Sequence, residues 1–356
     1  MIISRTPFRI SFFGGGTDYP VWFKEHGGAV LATTIDKYCY ISCRYLPPFF
    51  EHRTRIAYSR IEQAKTNADI EHPAVRGVLQ HLNISHGLEI HHDGDLPART
   101  GLGSSSSFTV GLLHSLYALQ HTMPSKAELA HAAIHVEQNI LQESVGCQDQ
   151  VMAAHGGLCR LQFFQNGEIG YTPLVMKPER LAAFQDHLLL YFTGFSRTAS
   201  EIAKEQIAKT KQRRVELFAM LQMVQEGVSI LSGDRDLADF GELLHEAWMV
   251  KRSLTSKITT PMIDDIYEAA RGAGALGGKL LGAGGGGFML FFARPETHAQ
   301  IRAALPGLLE VPFRFEGLGS QIVFYQQESP IIRDVSWGEE RHTVDIHAST
   351  PFGKVA

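Results

Sequence analysis

The first part of the chain carries hydrophobic patterns that predict β-strands. Residues 29–35 and 38–45 are rich in β-branched and aromatic side chains, and Asp36 and Lys37 between them predict a turn. Up to about residue 95 the pattern predicts mostly strands. Further strands are predicted later in the chain, at 156–164, 188–192 and 288–292.

Helical periodicity becomes prominent after residue 95. Residues 108–120 place four leucines on one broad face, and a second helix begins near Ser125, which has Glu128 three residues later as in a capping box. The predicted helices cover 108–120, 125–143, 199–231, 237–254 and 261–272. Because the strand-rich part gives way to helices near residue 190, the pattern predicts an α+β chain with two domains, 1–190 and 191–356.

Composition and charge narrow the class of protein. The 356 residues are 44% hydrophobic and 20% charged, with a formal net charge of −4. This balance is typical of a globular protein and argues against a nucleic-acid partner, which would favour a basic surface. No signal-peptide pattern and no run near the roughly 18 apolar residues that span a bilayer occurs, so we expect a cytoplasmic protein with no membrane partner. The four cysteines form no CxxC pair, which predicts free thiols and no zinc site.

A glycine- and serine-rich loop at 95–107 precedes the helix predicted at 108 without a gap. Such a loop offers backbone N–H groups, hydroxyls and the positive end of a helix dipole, all of which suit a phosphate group. A flexible linker is the alternative interpretation, but a linker need not adjoin an amphipathic helix. The chain contains no GxxxxGK[ST] sequence, so this phosphate loop is not of the Walker A type.

Two carboxylates follow the phosphate loop. Glu137 falls within the apolar stripe of its predicted helix, where an ionised carboxylate is costly unless it is paired or binds a metal. A structural salt bridge is the alternative. Asp149 lies twelve residues further on, in a polar segment led by a glycine. A pair of carboxylates with a phosphate loop suggests that one holds Mg²⁺ while the other orients or deprotonates an attacking hydroxyl.

Two more glycine clusters, at 14–16 and 282–287, complete the pattern. Thr17 and Asp18 follow the first cluster, and the Asp18 carboxylate can accept hydrogen bonds from sugar hydroxyls. The second cluster contains GxGxxG, but it precedes a predicted strand rather than the helix that a dinucleotide site requires. Either cluster alone predicts only a tight turn.

These clusters, in this order, resemble the motifs of the GHMP kinases. Residues 95–106 resemble the second motif of that superfamily, its phosphate loop, and residues 279–288 resemble the third. The first motif, at 9–19, aligns with that of galactokinase, but Ser11 replaces an asparagine, and Gly15 and Gly16 replace glutamate and histidine. Residues 7–20, 27–38 and 193–200 are similar instead to the D-glycero-D-manno-heptose 7-phosphate kinases.

The resemblance implies a fold, two cofactors and a set of site residues. The fold would be the two-domain α+β GHMP-kinase fold, with a ribosomal S5 domain 2-like N-terminal domain and a ferredoxin-like C-terminal domain, and the cofactors would be ATP and Mg²⁺. Asp149 would orient or deprotonate the acceptor hydroxyl, and Arg9 would offset charge on the transferred phosphate. The implied ATP-binding residues are Gly101, Gly103, Ser104, Ser105 and Ser106, and the implied metal ligands are Ser105 and Glu137. The implied substrate-binding residues are Gly16, Thr17, Asp18, Gly284 and Gly285, with Arg197 for the substrate's own phosphate.

The expected activity is phosphorylation of the anomeric hydroxyl of D-glycero-D-manno-heptose 7-phosphate by ATP. Its product, the 1,7-bisphosphate, leads to GDP-heptose for bacterial surface polysaccharide, including capsule. A related kinase for fucose or another hexose is the first alternative, and a non-catalytic sugar or nucleotide sensor is the second, although a sensor is expected to lack Asp149 or Glu137. An NAD-dependent oxidoreductase would need a helix after Gly287. The sequence leaves open whether the chain forms a homo-oligomer.

Overall fold

The computed structural model describes residues 1–47, 49–98, 100–194 and 199–327, which form an α+β structure built on two sheets. The strands are β1 Ile2–Phe13, β2 Gly28–Tyr45, β3 Thr54–Ala57, β4 Ile61–Ala64, β5 Leu88–Gly94, β6 Cys159–Phe163, β7 Ile169–Pro173, β8 Leu188–Gly194, β9 Ala275–Leu280, β10 Gly287–Ala293, β11 Leu309–Glu310, β12 Phe315–Glu316 and β13 Gln321–Tyr325. The helices are α1 Pro20–His26, α2 Pro73–His81, α3 Ser104–Leu119, α4 Lys126–His135, α5 Gln148–His155, α6 Pro178–Asp186, α7 Ala199–Lys209, α8 Arg214–Ser232, α9 Ala238–Ser253, α10 Pro261–Gly272 and α11 His298–Ala304. The predicted α+β class is confirmed.

The first sheet has nine strands, with the order β13-β1-β2-β5-β3-β4 and with β6, β7 and β12 joined to it through β2. All its pairings are antiparallel except that of β3 with β5. Helix α3 packs against β1 and β2, and α5 packs against α3 and α4. This arrangement places the start of α3 and the start of α5 near the middle of β1.

The second sheet has four strands in the order β11-β8-β10-β9, and α9 packs on β9. It begins at Leu188, whereas β12 and β13, from beyond residue 310, pair with β2 and β1 of the first sheet. We propose that the chain divides into its two domains near residue 190, with β12 and β13 returning to the first one. Strands after residue 300 were not part of the expectation from the sequence.

The turn predicted at Asp36 and Lys37 was wrong. Strand β2 runs through both residues for 18 positions, and the register of its pairing with β1 shifts at that point. The Asp36 N–H donates to the Arg314 carbonyl at 2.9 Å, and its carboxylate accepts from the Arg314 N–H at 2.8 Å. Pairing of β1 with both halves of β2 therefore overrides the local turn preference, and the two polar residues form a bulge.

Most predicted helices are confirmed, with shifted ends. Helix α3 begins at Ser104, four residues earlier than predicted, so the serines of the phosphate loop form its first turn. The helix predicted over 125–143 begins with the expected capping box but is shorter, and a π-helical turn over Val136–Ile140 follows it. A 3₁₀ turn at Thr210–Gln212 separates α7 from α8. The sequence pattern missed α1 and α2, which both begin at a proline.

A buried aromatic cluster joins the elements of the two sheets. Phe12 of β1, Phe184 of α6 and Phe240 of α9 are fully buried, with ring centroids 4.8 to 5.5 Å apart. Phe292 of β10 packs against the same rings. Because such a core tolerates little displacement, it fixes β1 relative to the second sheet. The four cysteines are free, as predicted, and all four are buried. Among the described helices none has the length and hydropathy to cross a membrane.

Candidate active site

An arginine and an aspartate form the centre of the site. Arg9, on β1 and only 5% exposed, donates from Nε to Asp149 Oδ1 at 2.7 Å and from Nη2 to Asp149 Oδ2 at 2.8 Å. Its Nη1 donates to the carbonyl of Gly101 at 2.7 Å, and its backbone N–H donates to that of Leu102 at 3.0 Å. One guanidinium therefore fixes the first turn of α5 and the phosphate loop against β1.

The phosphate loop needs its glycines for two different reasons. Gly101 and Gly103 have φ values of +86° and +75°, in the left-handed region that favours glycine. A Cβ at Gly101 would lie 2.5 Å from the Leu281 carbonyl oxygen, and one at Gly103 would lie 3.2 Å from Arg9 Cγ. Gly103 is also the N-cap of α3, whose first turn has the backbone N–H groups that a phosphate can accept from.

Glu137 and Ser106 form a buried pair behind the loop. Glu137 is 1% exposed, and its Oε2 accepts from Ser106 Oγ at 2.8 Å and from Gln150 Nε2. Its Oε1 has no hydrogen-bond partner among the described residues. Burial raises the pKa of Glu137 from 4.5 to about 7. The inward orientation predicted for this carboxylate is confirmed, and the π-helical turn is the element that positions it.

The donor set at Glu137 fits a magnesium ion that is shared with a nucleotide. A carboxylate oxygen without a partner and a serine hydroxyl are hard oxygen ligands, which Mg²⁺ prefers together with water and substrate phosphates. No three His, Cys, Asp or Glu side chains converge into a metal cage in the parts of the chain that the structure covers. Ser105 is exposed on the first turn of α3, and the hydroxyl that reaches Glu137 belongs to Ser106. The assignment of Ser105 as a metal ligand stays a prediction.

The glycine turn at 14–18 places Asp18 beside Asp149. Asp18 is 1% exposed, and it accepts from the Gly16 N–H at 2.9 Å and from Gln148 Nε2 at 3.1 Å. Burial raises the pKa of Asp18, and the nearby charge of Asp149 raises it further. Thr17 is fully buried, and its hydroxyl lies 2.8 Å from the carbonyl oxygens of both Gly14 and Ala29. The structure thus brings Gly16 and Asp18 to the site but commits the Thr17 hydroxyl to the backbone.

The glycines of the third cluster allow other backbone segments to pack closely against it. A Cβ at Gly282 would lie 2.4 Å from Gly101 Cα, and one at Gly284 would lie 2.8 Å from Ile258 Cα. The Gly285 N–H donates to the Ile258 carbonyl at 2.9 Å. The strand predicted after the cluster is confirmed as β10, which argues against a dinucleotide-binding turn. Contact of Gly284 and Gly285 with a substrate stays a prediction.

Two buried lysines of the site were missed by the sequence analysis. Lys251 of α9 donates to the carbonyls of Leu280 and Gly282 at 2.9 and 2.6 Å, and Lys279 of β9 donates to that of Phe12 at 2.8 Å. Burial lowers the pKa of Lys251 to about 7, with a contribution from Arg9, and it lowers that of Lys279 as well. Lys251 follows the buried Leu244 and Trp248 at helical spacing, so the reasoning applied to Glu137 could have found it.

Arg197 lies outside the described residues, so its contact with a substrate phosphate stays a prediction. A different arginine that the sequence analysis missed, Arg213, lines a pocket beside Gly16 and Tyr19. Arg213 is half-buried at the junction that precedes α8, whereas the adjacent Arg214 is exposed.

Comparison with known proteins identifies two conserved modules. A family model described as "GHMP kinases N terminal domain" matches residues 70–157, and one described as "GHMP kinases C terminal" matches residues 228–310. The first match contains the phosphate loop, Glu137 and Asp149. The second contains Lys251 and the third glycine cluster.

Individual relatives cover most of the chain at modest identity. The D-glycero-alpha-D-manno-heptose 7-phosphate kinase of Campylobacter jejuni is 27% identical over 85% of this chain and 93% of its own. The bifunctional fucokinase/GDP-fucose pyrophosphorylase of Arabidopsis thaliana is 25% identical over 83% of this chain, which corresponds to 30% of that longer protein. A crystal structure of a D-glycero-D-manno-heptose 1-phosphate kinase from Bacteroides thetaiotaomicron superimposes with a TM-score of 0.75, at 24% identity, over 92% of this chain and 100% of its own, which supports a common fold.

Proposed function

From the premise that this chain belongs to the GHMP kinases, and is an ATP-dependent sugar phosphotransferase, we propose that its acceptor is a sugar already carrying a phosphate. The substrate would be D-glycero-D-manno-heptose 7-phosphate, the attacked group its anomeric hydroxyl, and the product the 1,7-bisphosphate. The observation that carries transfer to a hydroxyl is the Arg9–Asp149 pair at the phosphate loop. The substrate assignment is supported by the similarity to the Campylobacter jejuni enzyme.

In the proposed reaction the acceptor oxygen forms a bond to the γ-phosphorus of ATP, and the bond from that phosphorus to the oxygen of ADP breaks. Asp149 would accept the hydrogen bond of the attacking hydroxyl and take or pass on its proton. Arg9 holds both oxygens of this carboxylate at 2.7 and 2.8 Å, so the carboxylate is oriented before the sugar arrives. The same guanidinium would offset the charge that develops on the transferred group.

The loop at 101–106 would hold the phosphates of ATP through the backbone N–H groups at the start of α3. Glu137 and Ser106 would hold Mg²⁺, which when bound supplies charge neutralisation at the nucleotide phosphates. The buried carboxylate of Asp18 would accept hydrogen bonds from the sugar hydroxyls, since its oxygens already accept from Gly16 and Gln148 and can accept more. We also propose a cytoplasmic location and a role in GDP-heptose synthesis for a bacterial surface polysaccharide.

A panel assay tests this function directly. ADP release is measured with Mg-ATP and D-glycero-D-manno-heptose 7-phosphate, mannose 6-phosphate, free mannose, galactose, fucose or mevalonate. We expect turnover with the phosphorylated sugars alone, and an Asp149→Asn enzyme that binds ATP normally but turns over about 10²- to 10⁴-fold more slowly. Turnover with free sugars alone would refute the substrate assignment while leaving a kinase.

Fucose is the second candidate substrate. The observation that favours it is the 25% identity with the fucokinase of Arabidopsis thaliana over 83% of this chain. Fucose lacks a phosphate group, so this alternative predicts turnover that needs no anion on the sugar. If fucose is the best acceptor of the panel, the heptose assignment fails and this one replaces it.

A further inference from the structure

A pocket opens between the glycine turn of β1 and the first helices of the second half of the chain. It is open to solvent rather than enclosed. Apart from two leucines, its lining is polar or glycine, with Gly16 and Tyr19 on one side and Gln206, Thr210 and Arg213 on the other. The Gln206 amide N–H donates to the Ala283 carbonyl and the Thr210 hydroxyl to the Gln206 carbonyl, so both are held in place.

Arg213 is the one cationic side chain on this lining in the described parts of the chain. Its Nη1 donates to Glu216 Oε1 at 2.8 Å, and its other guanidinium N–H groups have no partner among the described residues. The side chain is 36% exposed, as expected for a group that borders an open pocket. An ion pair three residues apart on a helix surface is weak, so a stronger anion can displace or share it.

One residue of the pocket lining, Gly16, is hydrogen-bonded to a carboxylate of the candidate active site. The Gly16 N–H donates to Asp18 Oδ1, and Asp18 Oδ2 accepts from Gln148, the neighbour of Asp149 in the chain. Asp18 and Asp149 lie close enough for the charge of one to raise the pKa of the other. Gly16 thus connects the carboxylates of the candidate active site with the pocket that Arg213 lines.

We propose that this pocket is an anion subsite in which Arg213 binds the phosphate group that the sugar substrate already carries, at the end remote from the attacked hydroxyl. The inference rests on the proposed function for the identity of the sugar, but not for the presence of the subsite. A planar guanidinium presents paired N–H donors that match phosphate oxygens, and Arg213 brings these donors to the pocket.

Arg213→Ala and Arg214→Ala form a matched pair of variants. Both remove one positive charge at the start of α8, but Arg214 is exposed and does not line the pocket. Arg213→Lys keeps the positive charge but lacks the paired N–H donors of the guanidinium. It provides a second test of the same contact should the alanine variant not fold. Equal thermal unfolding of all four proteins, including the wild type, verifies that they are comparable.

Binding of inorganic phosphate tests the subsite without assuming a sugar. The full chain is saturated with Mg²⁺ and a non-hydrolysable ATP analogue, so that the nucleotide fills its own phosphate positions, and phosphate is titrated by calorimetry. We expect the wild type and Arg214→Ala to bind phosphate, Arg213→Lys to bind less tightly, and Arg213→Ala to bind about 10- to 100-fold more weakly than the wild type. Absence of phosphate binding in the wild type, or equal binding in both alanine variants, would overturn the inference.

Glu216→Gln should change the affinity for phosphate in the opposite direction. Removing the competing carboxylate frees the guanidinium, so phosphate should bind about 1.5- to 5-fold more tightly than to the wild type. Weaker binding in this variant would mean that Glu216 orients Arg213 for some other role and would count against the subsite.

Kinetics then connect the subsite with the proposed function. With the heptose 7-phosphate, Arg213→Ala should raise KM about 10- to 100-fold, whereas Arg214→Ala should leave KM near the wild-type value. An equal rise of KM in the two variants would refute the phosphate contact. If no phosphorylated sugar is a substrate but Arg213 still governs phosphate binding, the proposed function fails and the anion subsite stands.

Discussion

Replacing Glu137 with glutamine should remove a pH dependence from the stability of the metal-free protein. Burial raises the pKa of Glu137 from 4.5 to about 7, so the folded protein binds this proton more tightly than the unfolded chain does. The stabilising effect of the bound proton is fully present below pH 4.5 and is lost as the pH rises through 7. Glutamine has the same shape and no titration in this range.

The magnitude follows from the two pKa values. A change from 4.5 to about 7 makes the ionised form about 3 kcal/mol less favourable in the folded protein at high pH. Integrated between pH 5 and pH 8, the loss of unfolding free energy due to this carboxyl is about 2 to 3 kcal/mol. A glutamine amide at the Oε1 position would lack a partner as well, but that cost does not vary with pH.

Urea denaturation at several pH values, with EDTA present, measures this effect. The difference in unfolding free energy between Glu137→Gln and the wild type should shift by about 2 to 3 kcal/mol in favour of the variant from pH 5 to pH 8. Glu242→Gln is the control, because Glu242 lies exposed on α9. Parallel pH profiles for Glu137→Gln and the wild type would refute the reasoning, since they would mean that this carboxyl does not titrate in the range that its burial requires.

Three further predictions concern neighbouring groups. Ser106→Ala should raise the Mg²⁺ concentration for half-maximal activity about 10-fold, and Ser105→Ala should not; equal effects would contradict the pairing of Ser106 with Glu137. Gly101→Ala should destabilise the protein by about 2 kcal/mol or more in urea denaturation, because of its positive φ and the close Leu281 carbonyl. Burial lowers the pKa of Lys251 to about 7. The unfolding free energy of the wild type should therefore rise by about 2 kcal/mol from pH 7 to pH 9 relative to that of Lys251→Met. A difference between the two proteins that stays constant with pH would refute this.

The features predicted correctly from the sequence are those that depend on residues close together in the chain. The helix over Pro261–Gly272 has its proline at the start and its glycine at the end, and the structure has the same bounds. The Ser125 capping box and the inward Glu137 were also predicted, because both follow from spacing within one helix. Asp36 and Lys37 could not be predicted as a bulge, since the pairing with β1 and the contact with Arg314 come from distant parts of the chain.

The choice between Ser105 and Ser106 shows where a motif loses its predictive power. A run of four serines has no internal signal for which hydroxyl turns inward. That depends on the residue at which α3 begins and on where the π-helical turn places Glu137. Both are set by packing of α3 against α4 and β1 rather than by the run itself. The resemblance therefore brought the serines and Glu137 together, and the geometry of two helices was needed to show which hydroxyl reaches Glu137.

The glycine clusters, which look in the sequence like separate ligand loops, form one assembly. The phosphate loop and the third cluster meet where Gly101 and Gly282 leave no room for a Cβ on either side. Each loop is held through a carbonyl by a buried cation, Gly101 by Arg9 and Gly282 by Lys251. Since Arg9 also holds Asp149, any displacement of one loop is transmitted to the carboxylate that would meet the acceptor. The small residues thus serve the relative position of the two halves of the site at least as much as contact with a ligand.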